Sequence, residues 1–228
     1  MPTTNLLKLS PSDLTFLWDD CKRCFYLKYK HRISRPAAPF PSIFGTIDHL
    51  MKNYFEGRST ADLDPGLPPG QVRFGERWVE SEPLALPGHS LQWYLKGKFD
   101  TVVAFDDGTY GVVDFKTSEP KPAHVPFYGR QLHAYAYALQ HPAAGQFSLS
   151  PISRLGLLVV APRAMDVTSS GQIAYLGGVT WMEIPQDEAA FLEFVGEVVG
   201  LLEQPEPPDP AENCPYCQYR ATARQSGL

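Results

Sequence analysis

Asp100, Asp114 and Lys116 are the residues whose types and spacing can do chemistry. They lie in residues 97–116, where two runs rich in Val, Phe and Tyr flank Asp106-Asp107-Gly108, a hairpin turn signal. With Asp107 at the centre of a three-residue loop, Asp100 lies seven residues before it and Asp114 seven after. The two carboxylates therefore fall opposite each other, with Cβ atoms roughly 5 Å apart. Lys116, two residues beyond Asp114, projects from the same face about 7 Å along the strand. Two carboxylates and an ammonium thus converge. Hard carboxylate oxygens suit Mg²⁺ or Mn²⁺, and an ion held there can activate water. The competing reading is a charged, solvated hairpin face. Val112, Val113 and Phe115 argue against it, because they make the second strand mostly apolar and covered on both sides. Charges on a covered strand are costly unless they pair or bind something.

The flanking elements must position these groups. Ser10-Pro11-Ser12-Asp13 predicts a helix start, with Ser10 as N-cap and Leu14, Leu17, Trp18, Cys21 and Phe25 at helical spacing, ending near residues 30–32. A Pro-rich link over 36–41 leads to a second helix over 43–55 and a loop over 62–70. A strand falls somewhere in 73–86, and the hairpin spans 91–117. A third helix over 128–140 carries Gln131 and Tyr135 on one face, at i and i+4. Strands over 155–160 and 172–183 and a helix over 187–203 follow, then an acidic, Pro-rich linker over 203–210. Strands mixed with helices around an antiparallel hairpin predict an α/β or α+β three-layer domain.

The 228 residues, 43% hydrophobic, suffice for one sizeable domain. A net charge of −5 argues against coating nucleic acid by bulk charge but allows a local basic groove. Lys22, Arg23, Lys28, Lys30, His31, Arg32 and Arg35 form one local excess, equally readable as a solvated helix face. The first residues lack a signal-peptide core, and no run approaches the ~20 apolar residues of a membrane span. The expected compartment is the cytoplasm, with no membrane partner. Its reducing conditions favour metal ligation or free thiols over disulfides for the four cysteines.

Four motifs occur in order: Gly45-x₃-His49, Gly97-x-x-Asp100, Asp114-x-Lys116 and Gln131-x₃-Tyr135. From about Ser10 to Cys217 the chain resembles the PD-(D/E)XK nuclease superfamily. Within it the chain is similar to the RecB-like branch of CRISPR-associated exonucleases and AddB-type helicase-nucleases. The resemblance implies a restriction-endonuclease-like three-layer α/β fold with a central mixed β-sheet flanked by helices. It implies one nuclease domain over 1–228, with an N-terminal CxxC helix over 10–35, a core over 43–160 and a C-terminal CxxC segment over 205–220. It further implies His49 as metal ligand or phosphate contact, Asp100 and Asp114 as metal-binding carboxylates, and the Phe115 carbonyl as another ligand to Mg²⁺ or Mn²⁺. Lys116 would position or deprotonate the attacking water, and Gln131 and Tyr135 would hold Lys116 and the nucleic-acid backbone. The chain departs from the pattern in lacking the Pro of the superfamily name and in having Asp114 where some relatives have Glu.

Cys21-x₂-Cys24 and Cys214-x₂-Cys217 are separated by nearly the whole chain. Cys21 and Cys24 are expected on one face of the first helix. Four thiolates can close a tetrahedral zinc site or ligate an iron–sulfur cluster, stapling the N- and C-terminal segments together. Relatives with a cluster use one N-terminal and three C-terminal cysteines; here Ala223 stands where the last would fall. The function implied is a metal-dependent DNA nuclease acting on ends or single strands, in repair or CRISPR adaptation with other proteins of those systems. The alternative is a non-cleaving nucleic-acid-binding or structural subunit of a larger nuclease complex.

Overall fold

Two mixed sheets and the helices around them make up the fold, and the break between the sheets falls at Asp100. The computed structural model describes residues 6–37 and 41–227. The centre of the Pro-rich link and the first five residues lie outside the described residues. The elements are β1 (Leu6–Leu9), a π-helical turn (Asp13–Leu17), α1 (Trp18–Asp20), α2 (Lys22–His31), α3 (Ser42–Phe55), β2 (Gly70–Phe74), β3 (Arg77–Glu80) and β4 (Leu84–Ala85). They continue with β5 (Gln92–Phe99), β6 (Thr101–Phe105), β7 (Tyr110–Thr117), α4 (His124–Gln140), β8 (Ile152–Val167), β9 (Ile173–Ile184), α5 (Glu188–Glu203) and α6 (Pro215–Gln225).

One sheet runs β1-β5-β3, with β4 also pairing β5; the other runs β2-β6-β7-β8-β9. β7 pairs antiparallel with β6 and parallel with β8, and so is central. The β6–β7 register sets Thr101 opposite Val113 and Ala104 opposite Tyr110. The hairpin closes through Phe105 N–H to Thr109 O, with Gly108 at φ 86°. That left-handed conformation is why glycine ends the three-residue loop. Extending the register one step puts Asp100 across from Asp114, as the sequence predicts. Asp100 itself is the bend where the chain passes from β5 to β6.

The larger core packs α4 and α5 against one side through Leu132, Leu139, Leu157, Val195 and Val198. A smaller core on the other side joins Met51 and Phe55 of α3 to Val103, Val113, Phe115 and Leu158. Alternate residues of β7 therefore face different cores, and both are covered.

Several expectations are corrected. The first helix is not continuous: Cys21, at φ −166° and ψ 108°, interrupts it between α1 and α2. Cys21 and Cys24 thus do not share one helix face; Cys21 precedes the helix that carries Cys24. The strand in 73–86 is three short strands, and β1 and α6 were not legible. β8 extends well past residue 160 as a ribbon with β9, and α4 begins at His124, ahead of the predicted 128.

Candidate active site

Asp114 is 3% exposed on the central strand, in the middle of the apolar run Val112 to Phe115. Burial pushes its carboxyl up to about 7; the Lys116 charge opposes this and the neighbouring Asp100 carboxyl adds to it. Lys116 forms an ion pair with Asp114 Oδ2, and its Nζ lies 4.4 Å from the centre of the Tyr128 ring. Burial works to lower the Lys116 pKa, but Asp114 outweighs it and raises it. Lys116 is therefore an ammonium in the metal-free site.

Asp100 accepts a hydrogen bond from the Phe115 N–H at 3.0 Å through Oδ2. Its Oδ1 lies 2.8 Å from Lys52 Nζ. This bond ties the bend between β5 and β6 to β7 and holds the two carboxylates at one place. Gly97, at the end of β5, is required there: an added Cβ would lie 2.8 Å from Pro11 Cδ and 3.0 Å from Tyr135 Cε1.

Gln131 and Tyr135 come from α4, which packs on the sheet beside β7. Gln131 Nε2 reaches Asp114 Oδ1 at 3.5 Å and the Tyr135 hydroxyl at 3.4 Å. Both are long contacts, and Gln131 Oε1 is buried without a hydrogen-bond partner. The expected grip of this pair on Lys116 is not seen; the pair faces Asp114, and Tyr128 takes the lysine. His49 lies on α3, where Nε2 is 3.0 Å from Asn53 Nδ2. It lines a cleft of about 390 Å³ together with Asp48, Lys52, Glu76 and Asp100. Among the described residues, the four cysteines are the only group of three or more His, Cys, Asp or Glu donors close enough to share an ion, so His49 does not join the aspartates in one.

Lys52 is a residue of the site that the sequence motifs do not include. Its ammonium, with 14% side-chain exposure, lies 2.6 Å from Asp48 Oδ2 and 2.6 Å from Glu76 Oε1, besides its contact with Asp100. Burial would lower its pKa, but the hydrogen bonds it donates to these three carboxylates raise it. Asp48 and Lys52 sit at i and i+4 on α3, a pairing visible in sequence. Glu76 comes from the connection between β2 and β3, which no spacing rule links to α3.

The residues fit a hard divalent cation. Asp114 Oδ2 is buried and makes no hydrogen bond besides its ion pair. A carboxylate in that setting has a strong electrostatic need for positive charge. Asp100, held beside it by the Phe115 N–H, offers a second carboxylate, and carboxylate oxygens suit such a cation.

The four cysteines meet at a second centre. Cys21 Sγ lies 3.9 Å from Cys217 Sγ, and Cys24 Sγ lies 3.7 Å from Cys214 Sγ and 3.6 Å from Cys217 Sγ. All four sulfurs are within 4.8 Å of one another. Burial pushes the Cys24 and Cys217 thiols up, so ionising them together needs a cation. Arg35 Nη2 donates to Cys214 Sγ at 3.4 Å.

The profile of the PD-(D/E)XK nuclease superfamily matches residues 67–222. A solved structure titled "Crystal structure of SSO0001" is 20% identical, with a TM-score of 0.49, and the match covers 94% of this chain and 84% of that one. No curated protein matches the sequence.

Proposed function

Because the chain belongs to the PD-(D/E)XK nuclease superfamily, we propose that it is a divalent-metal-dependent DNA nuclease of the RecB-like type, acting on single strands or ends. The observation that carries this reading is the buried Asp114 carboxylate, tied through β7 to Asp100 and paired with Lys116. Asp100, Asp114 and the Phe115 carbonyl would hold Mg²⁺ or Mn²⁺, which when bound would supply positive charge beside a phosphodiester and make an attacking water more acidic. Lys116 donates to phosphate oxygens as negative charge develops. Gln131 orients Asp114, and Tyr135 orients Gln131. His49, on the cleft wall, contacts an adjoining phosphate.

Single-strand action is supported by a cleft of about 510 Å³ that Phe16, Phe44, Tyr128 and Lys116 line. Phe16 is 45% exposed, with its ring edge-on to Phe127 at 5.4 Å and to Tyr128 at 5.8 Å. Such rings next to a phosphate site can stack an unpaired base. The cysteines would hold a structural ion. Sulfurs bound to one tetrahedral zinc at 2.3 Å lie about 3.8 Å apart, close to the three separations here. A four-iron cluster binds each thiolate to a different iron and a two-iron cluster binds two to each iron, so both spread some of the four sulfurs wider than one ion does, and the spacing favours Zn²⁺ over iron–sulfur. Among the described residues no helix is long and apolar enough to cross a membrane. Cytoplasmic work in repair or CRISPR adaptation, with partners from those systems, fits this reading.

The test incubates labelled single- and double-stranded DNA with the protein in Mg²⁺, Mn²⁺ or EDTA, beside Asp114→Ala and Lys116→Ala. Metal-dependent cleavage of single strands, lost in both variants, is expected. Binding without cleavage under every condition would instead establish the non-cleaving alternative.

A further inference from the structure

Arg23 of α2 and Arg220 and Arg224 of α6 line a pocket of about 310 Å³ with Leu27, Ile33 and Cys217. No carboxylate lines it. None of the three arginines forms an ion pair among the described residues, in a chain whose net charge is −5. Arg23 Nη1 donates to the Pro208 carbonyl at 2.9 Å, which fixes its guanidinium at the rim. Arg220 Nη1 is buried and has no hydrogen-bond partner. A desolvated guanidinium N–H without an acceptor is costly, and three arginines lining one pocket offer N–H donors suited to a tetrahedral oxyanion.

We propose that Arg23, Arg220 and Arg224 bind a backbone phosphate of the nucleic-acid strand beside the four-cysteine centre. This rests on the nuclease reading for its choice of ligand. The cysteine centre then has a use beyond stapling the chain ends: it fixes α6 against α2 and so sets the separation of the three guanidinium groups. A rival use is charge compensation, since four thiolates on a divalent ion carry net negative charge. Arg35 already serves that end through its bond to Cys214. Arg23 points to a carbonyl, and Arg220 Nη1 points to no acceptor.

The experiment uses the full-length, metal-loaded protein without added Mg²⁺ or Mn²⁺. A fluorescein-labelled 20-nucleotide single strand is titrated by anisotropy over a series of KCl concentrations, and metal content is measured on every sample. Arg220→Gln/Arg224→Gln should weaken binding about 10-fold and shrink the salt slope by about 1.4, two contacts at about 0.7 each for a single strand. Arg224→Gln alone, an exposed position near the end of α6, should weaken it about 3-fold and keep full metal content, which separates strand binding from folding. Inorganic phosphate is titrated in parallel by calorimetry. Arginine-dependent binding of phosphate with unchanged strand affinity would assign the pocket to a free anion and overturn the proposal. Loss of metal in the double variant with unchanged strand affinity would assign the arginines to the thiolates and overturn it equally. Arginine-dependent strand binding by a protein that never cuts would sustain the pocket while ending the nuclease reading.

Discussion

Replacing Lys52 by Met should make the folding stability of this protein depend on divalent metal far more than it does in the wild type. Lys52 is the cation that Asp48, Glu76 and Asp100 share, at 2.6 to 2.8 Å. Methionine keeps the bulk of the stem and removes the charge. The three carboxylates then face one another with Lys98, which pairs with Glu76, and the more distant charge of Lys116 on Asp100 as the remaining counter-charges among the described residues. Their side chains are 20 to 37% exposed, so the loss lies between that of a surface pair and that of a buried one. About 2 kcal/mol is a reasonable figure, and for a chain of this length it lowers Tm by roughly 4–8 °C in EDTA. Added Mg²⁺ or Mn²⁺ meets a site freed of a competing ammonium. A tenfold gain in affinity would return about 1.4 kcal/mol at saturating metal. Thermal melts in EDTA and across a Mg²⁺ titration check this. The variant should melt below the wild type without metal and gain more from Mg²⁺. Equal Mg²⁺-induced shifts in both proteins would refute the argument, because they would mean that Lys52 does not compete for Asp100.

The remaining expectations test other parts of the site. In metal-free protein the Asp114 carboxyl, raised from 3.8 to about 7, contributes stability that is fully present below its unfolded value and is lost as pH rises through 7. Because a metal must displace that proton, Mg²⁺ affinity measured by calorimetry should fall about tenfold per pH unit below 7 and level off above it; a flat profile from pH 5.5 to 8 would contradict the raised carboxyl. Gly97→Ala should cost about 1–3 kcal/mol in urea melts, since its Cβ would press on Pro11 and Tyr135, and should slow cleavage by moving Tyr135 from Gln131. Phe16→Ala should weaken single-strand binding by about 1–3 kcal/mol and leave duplex binding little changed; equal losses on both would remove the stacking role. Metal analysis of purified protein should find zinc near one equivalent, with Cys24→Ser losing it, and visible absorbance from iron would reverse that assignment.

The hairpin was legible because every step from residue to geometry is local. Asp106-Asp107-Gly108 fixes a three-residue loop, the loop fixes the register, and the register brings Asp100 to Asp114. Lys116 follows from strand period alone. Gln131 and Tyr135 were visible as one helix face, but their partner was not, since that depends on how α4 rotates against β7. The break at Cys21 was hidden for a related reason: Leu14 to Phe25 keeps helical spacing straight through it, and only the distant Cys214 and Cys217 require Cys21 outside the helix. Lys52 and Glu76 show the general limit. Each is ordinary in its own segment, and they acquire meaning only when α3 and the β2–β3 connection close over Asp100. Paired carboxylates on neighbouring strands can be read from one segment. Lys116, which pairs with Asp114, is read from that same segment, whereas Lys52, which neutralises Asp100 and which a metal must displace or share, comes from a distant one. The metal-free charge balance of this site is therefore a tertiary property, even though its ligands are a local one.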